Sequence, residues 1–413
     1  MLCIGKKFSY LFVPSAQRKG MVITMENKMN KLWNYIFDVL FCEETNLVYE
    51  HRISYDENAT TVHLPEPEVI KLQIPNPCGW GTGMEDSATS AGILLDAILN
   101  RYSVNHEPEM RLYAKKVFEG IKLCATVSGK RGFLARSVSP VDKKSFYFNT
   151  SRDQYTHVIY SLVKYMKSEL CDVADKPWII DTLVDFAQLV EREATPQNDY
   201  QLMRADDKVG IVCAMWNVRP HEALRLPMFY LAAWVASGDE HWLELYKAWR
   251  DKGIEKSVEY YSTDNMCILV QMQVSIRFLY NYDPDEKYRE KYCELLKYTA
   301  KFASEFRIKD ICSLNVNFLG KPWHECDLKF QWGNIVINGY AYTNPQDPLL
   351  NAIWPLMEIG DAISTQVLCP NCKIHDEQIK QLNGAVDVID IDKHASRAPL
   401  RLCAGYWALK TLK

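Results

Sequence analysis

The chain contains no apolar run long enough to cross a bilayer as a helix, so a membrane partner is not expected. Lys and Arg never run beyond two in succession, and the formal net charge is −4. A nucleic-acid partner, which needs a basic footprint, is not expected either. No Pro- or Gly-rich linker divides the 413 residues, and no repeated sequence recurs along them. Gly79, Gly81 and Gly83 form a glycine-rich stretch without the Lys-Ser/Thr ending or preceding strand of a phosphate loop. They are read as hinges for a tight bend, and no cofactor is expected. Cys369-Pro-Asn-Cys372 has no second C-x-x-C to complete a zinc site, and only His375 lies near it. It is read as a loop with two thiols, so no metal is expected. The cellular address is left open between cytoplasm and periplasm; the thirteen cysteines, odd in number and scattered through apolar stretches, favour a reducing compartment.

Apolar residues make up 48% of the chain and aromatics 12%, enough to build a large core without disordered regions. Residues 1–28 read as an irregular leader. Within it Lys6-Lys7 and a short apolar stretch resemble a truncated signal peptide, and Met21 or Met25 could equally be the start. From residue 29 to 413 a single domain is expected. Its first helix is read at Asn30–Glu44, and the segment 51–77, with Pro65, Pro67, Pro75 and Pro77, as an extended loop holding a short hairpin. Thereafter buried and charged-faced helices alternate. Buried ones are read as starting at Asp86, Asp153, about Leu226, Asp264 and about Leu349, and a final helix spans Pro399–Leu412. Residues 311–344, rich in Gly, Asn and Trp, read as loops or a short sheet. This alternation predicts an all-α fold, an (α/α)6 toroid of helical hairpins whose inner helices form a ring, with long aromatic-rich loops. A solenoid would repeat more regularly.

The stretch Asn149–Lys164 shows the plan most clearly. Tyr155, Val158, Ile159, Leu162, Val163 and Met166 form the apolar stripe of a helix with one buried side. Thr150 or Ser151 can cap it, and Arg152, Asp153, Gln154 and Tyr155 occupy its first turn. Asp153 has two readings. One is the acidic half of a capping box with Thr150; the other is a functional acid at the mouth of a cavity. If the inner helices run parallel, their N-termini converge. Glu85 and Asp86, then Arg152, Asp153 and Gln154, then His221 and Glu222, then Asp264 and Asn265 would meet around one funnel. The adjoining loops would add Trp80, Trp216, Arg219, Trp323, His324, Trp332 and Asn334. Acids, amides and indoles in one pocket suit a saccharide, and paired carboxylates suit acid/base work on a glycosidic bond. Arg136, Arg152 and Arg219 suit the carboxylate of a uronate.

The runs Gly132-Phe-Leu-Ala-Arg136 and Phe148-Asn-Thr-Ser-Arg-Asp-Gln-Tyr155 resemble the segment before an inner helix in the six-hairpin (α/α)6-barrel glycosidases. Among these are the bacterial unsaturated glucuronyl and rhamnogalacturonyl hydrolases and related gut-bacterial proteins. Trp80-Gly-Thr-Gly-Met-Glu-Asp86 resembles an equivalent acidic helix start one hairpin earlier. The resemblance implies a carbohydrate-active enzyme hydrolysing an acidic oligosaccharide. Asp153 would be the catalytic acid/base, Asp86 or Glu85 its partner carboxylate, and the other funnel residues, Tyr155 included, substrate contacts. A non-catalytic glycan- or protein-binding toroid is a second expectation. A lyase or epimerase on the same barrel is a third, with Tyr155, His157 and His221 as candidate bases. The sequence sets no oligomeric state.

Overall fold

The computed structural model describes residues 24–50, 64–80, 82–259, 265–314, 316–317, 335–337, 340–342, 348–394 and 396–412. Asp264, Trp323, His324, Trp332 and Asn334 therefore lie outside the described residues, as does most of the expected leader. Helix α1 spans Met25–Tyr35 and begins five residues before the expected position, with Thr24 Oγ1 capping Asn27 N–H. It runs on through one wider turn, Ile36–Leu40, and stops where Phe41–Cys42 pairs with Leu47–Val48 in a ribbon, β1–β2. Asn46, at φ 56°, makes that reversal and ends the helix short of Glu44. A single helical turn, α2, follows at Pro67–Lys71.

The barrel proper is six inner helices, each joined to the next through an outer one. The inner set is α3 (Ser87–Asn105), α5 (Arg152–Met166), α7 (Arg225–Ser237), α9 (Met266–Tyr282), α11 (Pro348–Val367) and α13 (Ala398–Lys410). Between them run α4 (Glu109–Thr126), α6 (Lys176–Glu193), α8 (Glu240–Val258), α10 (Arg289–Glu305) and α12 (Asp376–Asp387), and α1 stands outside α13 as the sixth outer helix. Each inner helix packs on the next, and α13 closes back on α3. The expected (α/α)6 toroid is the observed fold.

The burial of each helix follows its sequence. In α7, RLPMFYLAAWVAS, residues 225–233 are all buried, whereas the outer α4 and α10 bury one stripe only. Asp239 Oδ1 caps α8 through His241 N–H, and Gly238, at φ 73°, ends α7 in the left-handed conformation. Small residues close the ring. A Cβ on Gly92 of α3 would lie 2.6 Å from the carbonyl carbon of His157, so α3 and α5 touch backbone to backbone there. The expected short sheet in 311–344 is a two-stranded antiparallel ribbon, Ile335–Ile337 (β5) with Tyr340–Tyr342 (β6). A third ribbon, Gln201–Met203 (β3) with Val209–Ala214 (β4), lies against the start of α5.

Candidate functional site

Parallel inner helices bring their first residues to one end of the ring, and ion pairs record the meeting. Asp86 is the N-cap residue of α3. Its Oδ1 accepts from Arg136 Nη2 at 3.0 Å and from Gln154 Nε2 at 2.7 Å, and its Oδ2 accepts from Arg397 Nη2 at 3.0 Å. Arg397, wholly buried ahead of α13, also holds Glu50 at 2.5 Å. Burial would push the Asp86 carboxyl up, but Arg397 and then Arg136 hold it far below the usual carboxylate range. Gln154 completes the joint by accepting from Thr89 N–H at 2.8 Å. Asp86 thus links α3, α5 and α13 as a permanent anion.

A second cluster lies beside it. Asp153 does not close a capping box: Ser151 is the N-cap and makes no side-chain cap bond, while Thr150 Oγ1 donates to Leu134 O. The Asp153 carboxylate instead accepts from Arg225 Nη1 at 2.8 Å. Arg225, fully buried, reaches Glu222 Oε1 at 3.5 Å and donates to Gln271 Oε1 on α9. Glu222 also accepts from Arg152 Nη2 at 2.5 Å, and Arg152 Nη1 donates to Ala214 O on β4. Burial pushes the Glu222 carboxyl up, yet Arg225 and Arg152 prevail and hold it below its ordinary value. His221 Nε2 lies 3.9 Å from Glu222 Oε1. Burial lowers its pKa to about 4; Glu222 opposes the shift, and Arg225, Arg219 and Arg152 reinforce it. His221 is therefore an uncharged imidazole at neutral pH.

Glu85, Asp86, Arg136, Arg152, Asp153, Gln154, His221 and Glu222 are thus gathered as expected, although several have fixed duties. Arg136 is spent on Asp86 and on Glu85 O, which accepts from its Nε at 2.6 Å. It is a clamp behind the carboxylate, not a free uronate ligand. Tyr155 is a correction. It is buried against Phe186 and Phe229, accepts from Leu134 N–H and donates to Gly132 O, both at 3.0 Å. Its stripe position turns it to the outer layer. Asn265 spends its side-chain oxygen capping α9 at Ile268 N–H. Trp216 stacks edge-on to Trp249 of the outer α8, ring centroids 4.8 Å apart. Trp80 is half-buried, its backbone N–H held by Asn76, and Arg219 is exposed.

No protein-family model matches the chain, and no curated protein matches it in sequence. In three dimensions it aligns with the crystal structure of a sugar epimerase from a ruminal bacterium, at 11% identity and a TM-score of 0.47, over 92% of this chain and 98% of that one. It aligns likewise with a cellobiose 2-epimerase from Bacillus thermoamylovorans (11%, 0.47, 93% and 99%) and with a D-mannose isomerase (11%, 0.46, 96% and 100%). At this level the comparison assigns no role to any residue.

Arg225, Arg397, Glu50 and Gln271 were not singled out from the sequence. Arg225 had a legible signal, since it is a lone cation in Ala-Leu-Arg-Leu-Pro-Met-Phe. A charge inside a buried segment needs a partner, and Glu222 stands one turn before it. Arg397 carries the same signal ahead of Ala-Pro-Leu. Nothing local marks Glu50, which reaches Arg397 across almost the whole chain.

Proposed function

We propose that the chain is a carbohydrate-active enzyme acting on an acidic, uronate-containing saccharide where the tips of α3, α5, α7 and α9 meet. The observation that carries this reading is the uncharged His221 set against Glu222 and Arg225, with Asp153 beside them. A neutral imidazole presents a lone pair for a proton, the Glu222 carboxylate beside it favours the imidazolium that would form, and the guanidinium groups can stabilise negative charge developing on a substrate oxygen. That combination favours proton transfer at a sugar carbon next to a carbonyl. His221 would remove the proton, Arg225 and the exposed Arg219 would favour the enolate, and return of the proton would give an epimer or isomer. Expulsion of a β-substituent from the same enolate would give an elimination.

Hydrolysis is the second reading, and the exposure of Asp153 supports it. Its side chain is 41% exposed, against 27% for Asp86 and 11% for Glu222. Asp86 and Glu222, held as anions, are unsuited to protonating a leaving oxygen, so Asp153 would be the acid/base.

One panel separates these chemistries. Uronic-acid oligosaccharides and free aldoses are incubated with the protein in heavy water and followed by NMR and ultraviolet absorbance. Deuterium at a sugar carbon, lost in His221→Gln, is the expected outcome. New reducing ends without deuterium, abolished by Asp153→Asn, would give the site to hydrolysis. No turnover of any member would leave a binding toroid.

A further inference from the structure

The proposed reaction uses only one end of the ring. Further down the inner helices lies a cavity of about 360 Å³, walled by α3, α5, α9, α11 and α13. Lys164 on its wall is eleven residues past Asp153, about 17 Å along the helix at 1.5 Å per residue. Its lining reaches the exposed Asn281 and Thr411, so it opens at the end opposite the carboxylate cluster.

Both carboxylates in this cavity are paired with a cation. Lys164 Nζ bonds Asp96 Oδ1 and Asn100 Oδ1, each at 2.6 Å, and Arg401 Nη1 bonds Asp361 Oδ1 at 2.9 Å. Arg277 has no carboxylate within ion-pair distance among the described residues; its Nη1 donates to Leu368 O at 3.3 Å, just past the end of α11. A cation there offsets the negative end of a helix dipole. The one surplus cation, Arg277, is met by that helix end, so no charged side chain of the described lining is left without a partner for an ion to fill. What remains is hydrogen-bonding capacity. Among the described residues His157 Nε2, Asp361 Oδ2 and Arg401 Nε are buried with no hydrogen-bond partner, and unmatched buried polar atoms are costly. Tyr160 and Tyr282 add flat faces, and Val270, Val274 and Leu368 add apolar ones. Donors, acceptors and aromatic faces, with each charged side chain already partnered, match a neutral, polyhydroxylated ring, and the volume falls at the small end of ligand sites.

We infer that the far end of the barrel holds a second, non-catalytic site for a neutral monosaccharide or cyclic polyol. This site does not depend on the reaction proposed for the helix tips. The test is saturation-transfer-difference NMR on the full chain with D-glucose, D-mannose, myo-inositol and D-glucuronate as probes. Ser364→Phe and Ala404→Leu each fill the cavity from a different helix, and circular dichroism checks that they fold. At least one neutral probe is expected to bind the natural chain and Asp153→Asn alike, and to lose about tenfold or more in affinity in the filled variants. Failure of every neutral probe, binding of glucuronate alone, or neutral binding that is lost in Asp153→Asn but kept in both filled variants would each overturn the inference.

Discussion

Replacing Asp86 by Asn should cost stability before it costs chemistry. The carboxylate accepts three charge-assisted bonds, from Arg136, Gln154 and Arg397, and so ties α3 to α5 and α13. Asn keeps one acceptor oxygen and turns an amide donor toward a guanidinium. Breaking a buried ion pair by removing one partner costs roughly 3–5 kcal/mol. The lower end applies here, because the Asp86 side chain is 27% exposed and Arg397 retains Glu50. At about 2.1 cal/mol/K of unfolding entropy per residue, a loss of about 3 kcal/mol lowers the melting temperature of a chain this size by roughly 3–4 °C. Differential scanning calorimetry on the natural chain, Asp86→Asn and Asp153→Asn reads the contrast. Asp153, whose side chain is 41% exposed and whose partner Arg225 keeps Glu222 and Gln271, should lose no more than about 1 kcal/mol. If Asp86→Asn melts with the natural chain and yet has no turnover, Asp86 is a reacting carboxylate and its assignment as a structural joint is wrong.

Four further outcomes follow from the same geometry. If the panel shows hydrolysis, Asp153→Asn should abolish or strongly reduce it while melting within about 1 °C of the natural chain; lost stability with full activity would make it only a packing residue. Tyr155→Phe leaves Leu134 N–H buried without its acceptor and should cost about 1–3 kcal/mol in urea unfolding with little effect on turnover. Gly92→Ala places a methyl against the His157 backbone and should cost about 1–2 kcal/mol despite the better helix former; a stabilised variant would mean α3 and α5 do not touch there. Acid should weaken the fold early. His221 and His394 have native pKa values pushed down to about 4 by burial, so between about 6.5 and 4 the unfolded chain binds protons that the native one refuses. Stability then falls with pH by up to about 3 kcal/mol for each, above the range where Asp86 and Glu222 begin to lose their charge, and calorimetry from pH 7 to 4 should show it.

Most of the barrel was legible because its two rings differ in composition. Apolar, small-residue helices alternate with charged-faced ones, and that contrast placed the starts of α3, α5, α9 and α13 within a few residues. The start of α7, read at about Leu226, is also met within a residue: the helix opens at Arg225 and carries Pro227 in its first turn, where Pro is tolerated. The convergence of Asp86, Asp153, His221 and Glu222 was also legible, since parallel inner helices must bring their tips together. Their duties were not. Whether a carboxylate is clamped or free depends on arginines that arrive from distant segments, as Arg397 does at Asp86, and local spacing does not encode those contacts. Tyr155 failed for a related reason: it lies next to the acidic turn in sequence, but the helical period turns it to the opposite side.

The account stands most directly on the state of one imidazole. Selective labelling of the histidines, with His221→Gln to assign the signal, allows its titration to be followed by NMR without any substrate. The ring should remain neutral down to about pH 4, as burial beside Arg225, Arg219 and Arg152 requires. A midpoint near 6.5 would place His221 in open solvent and contradict the buried, arginine-flanked site on which the proposed reaction rests.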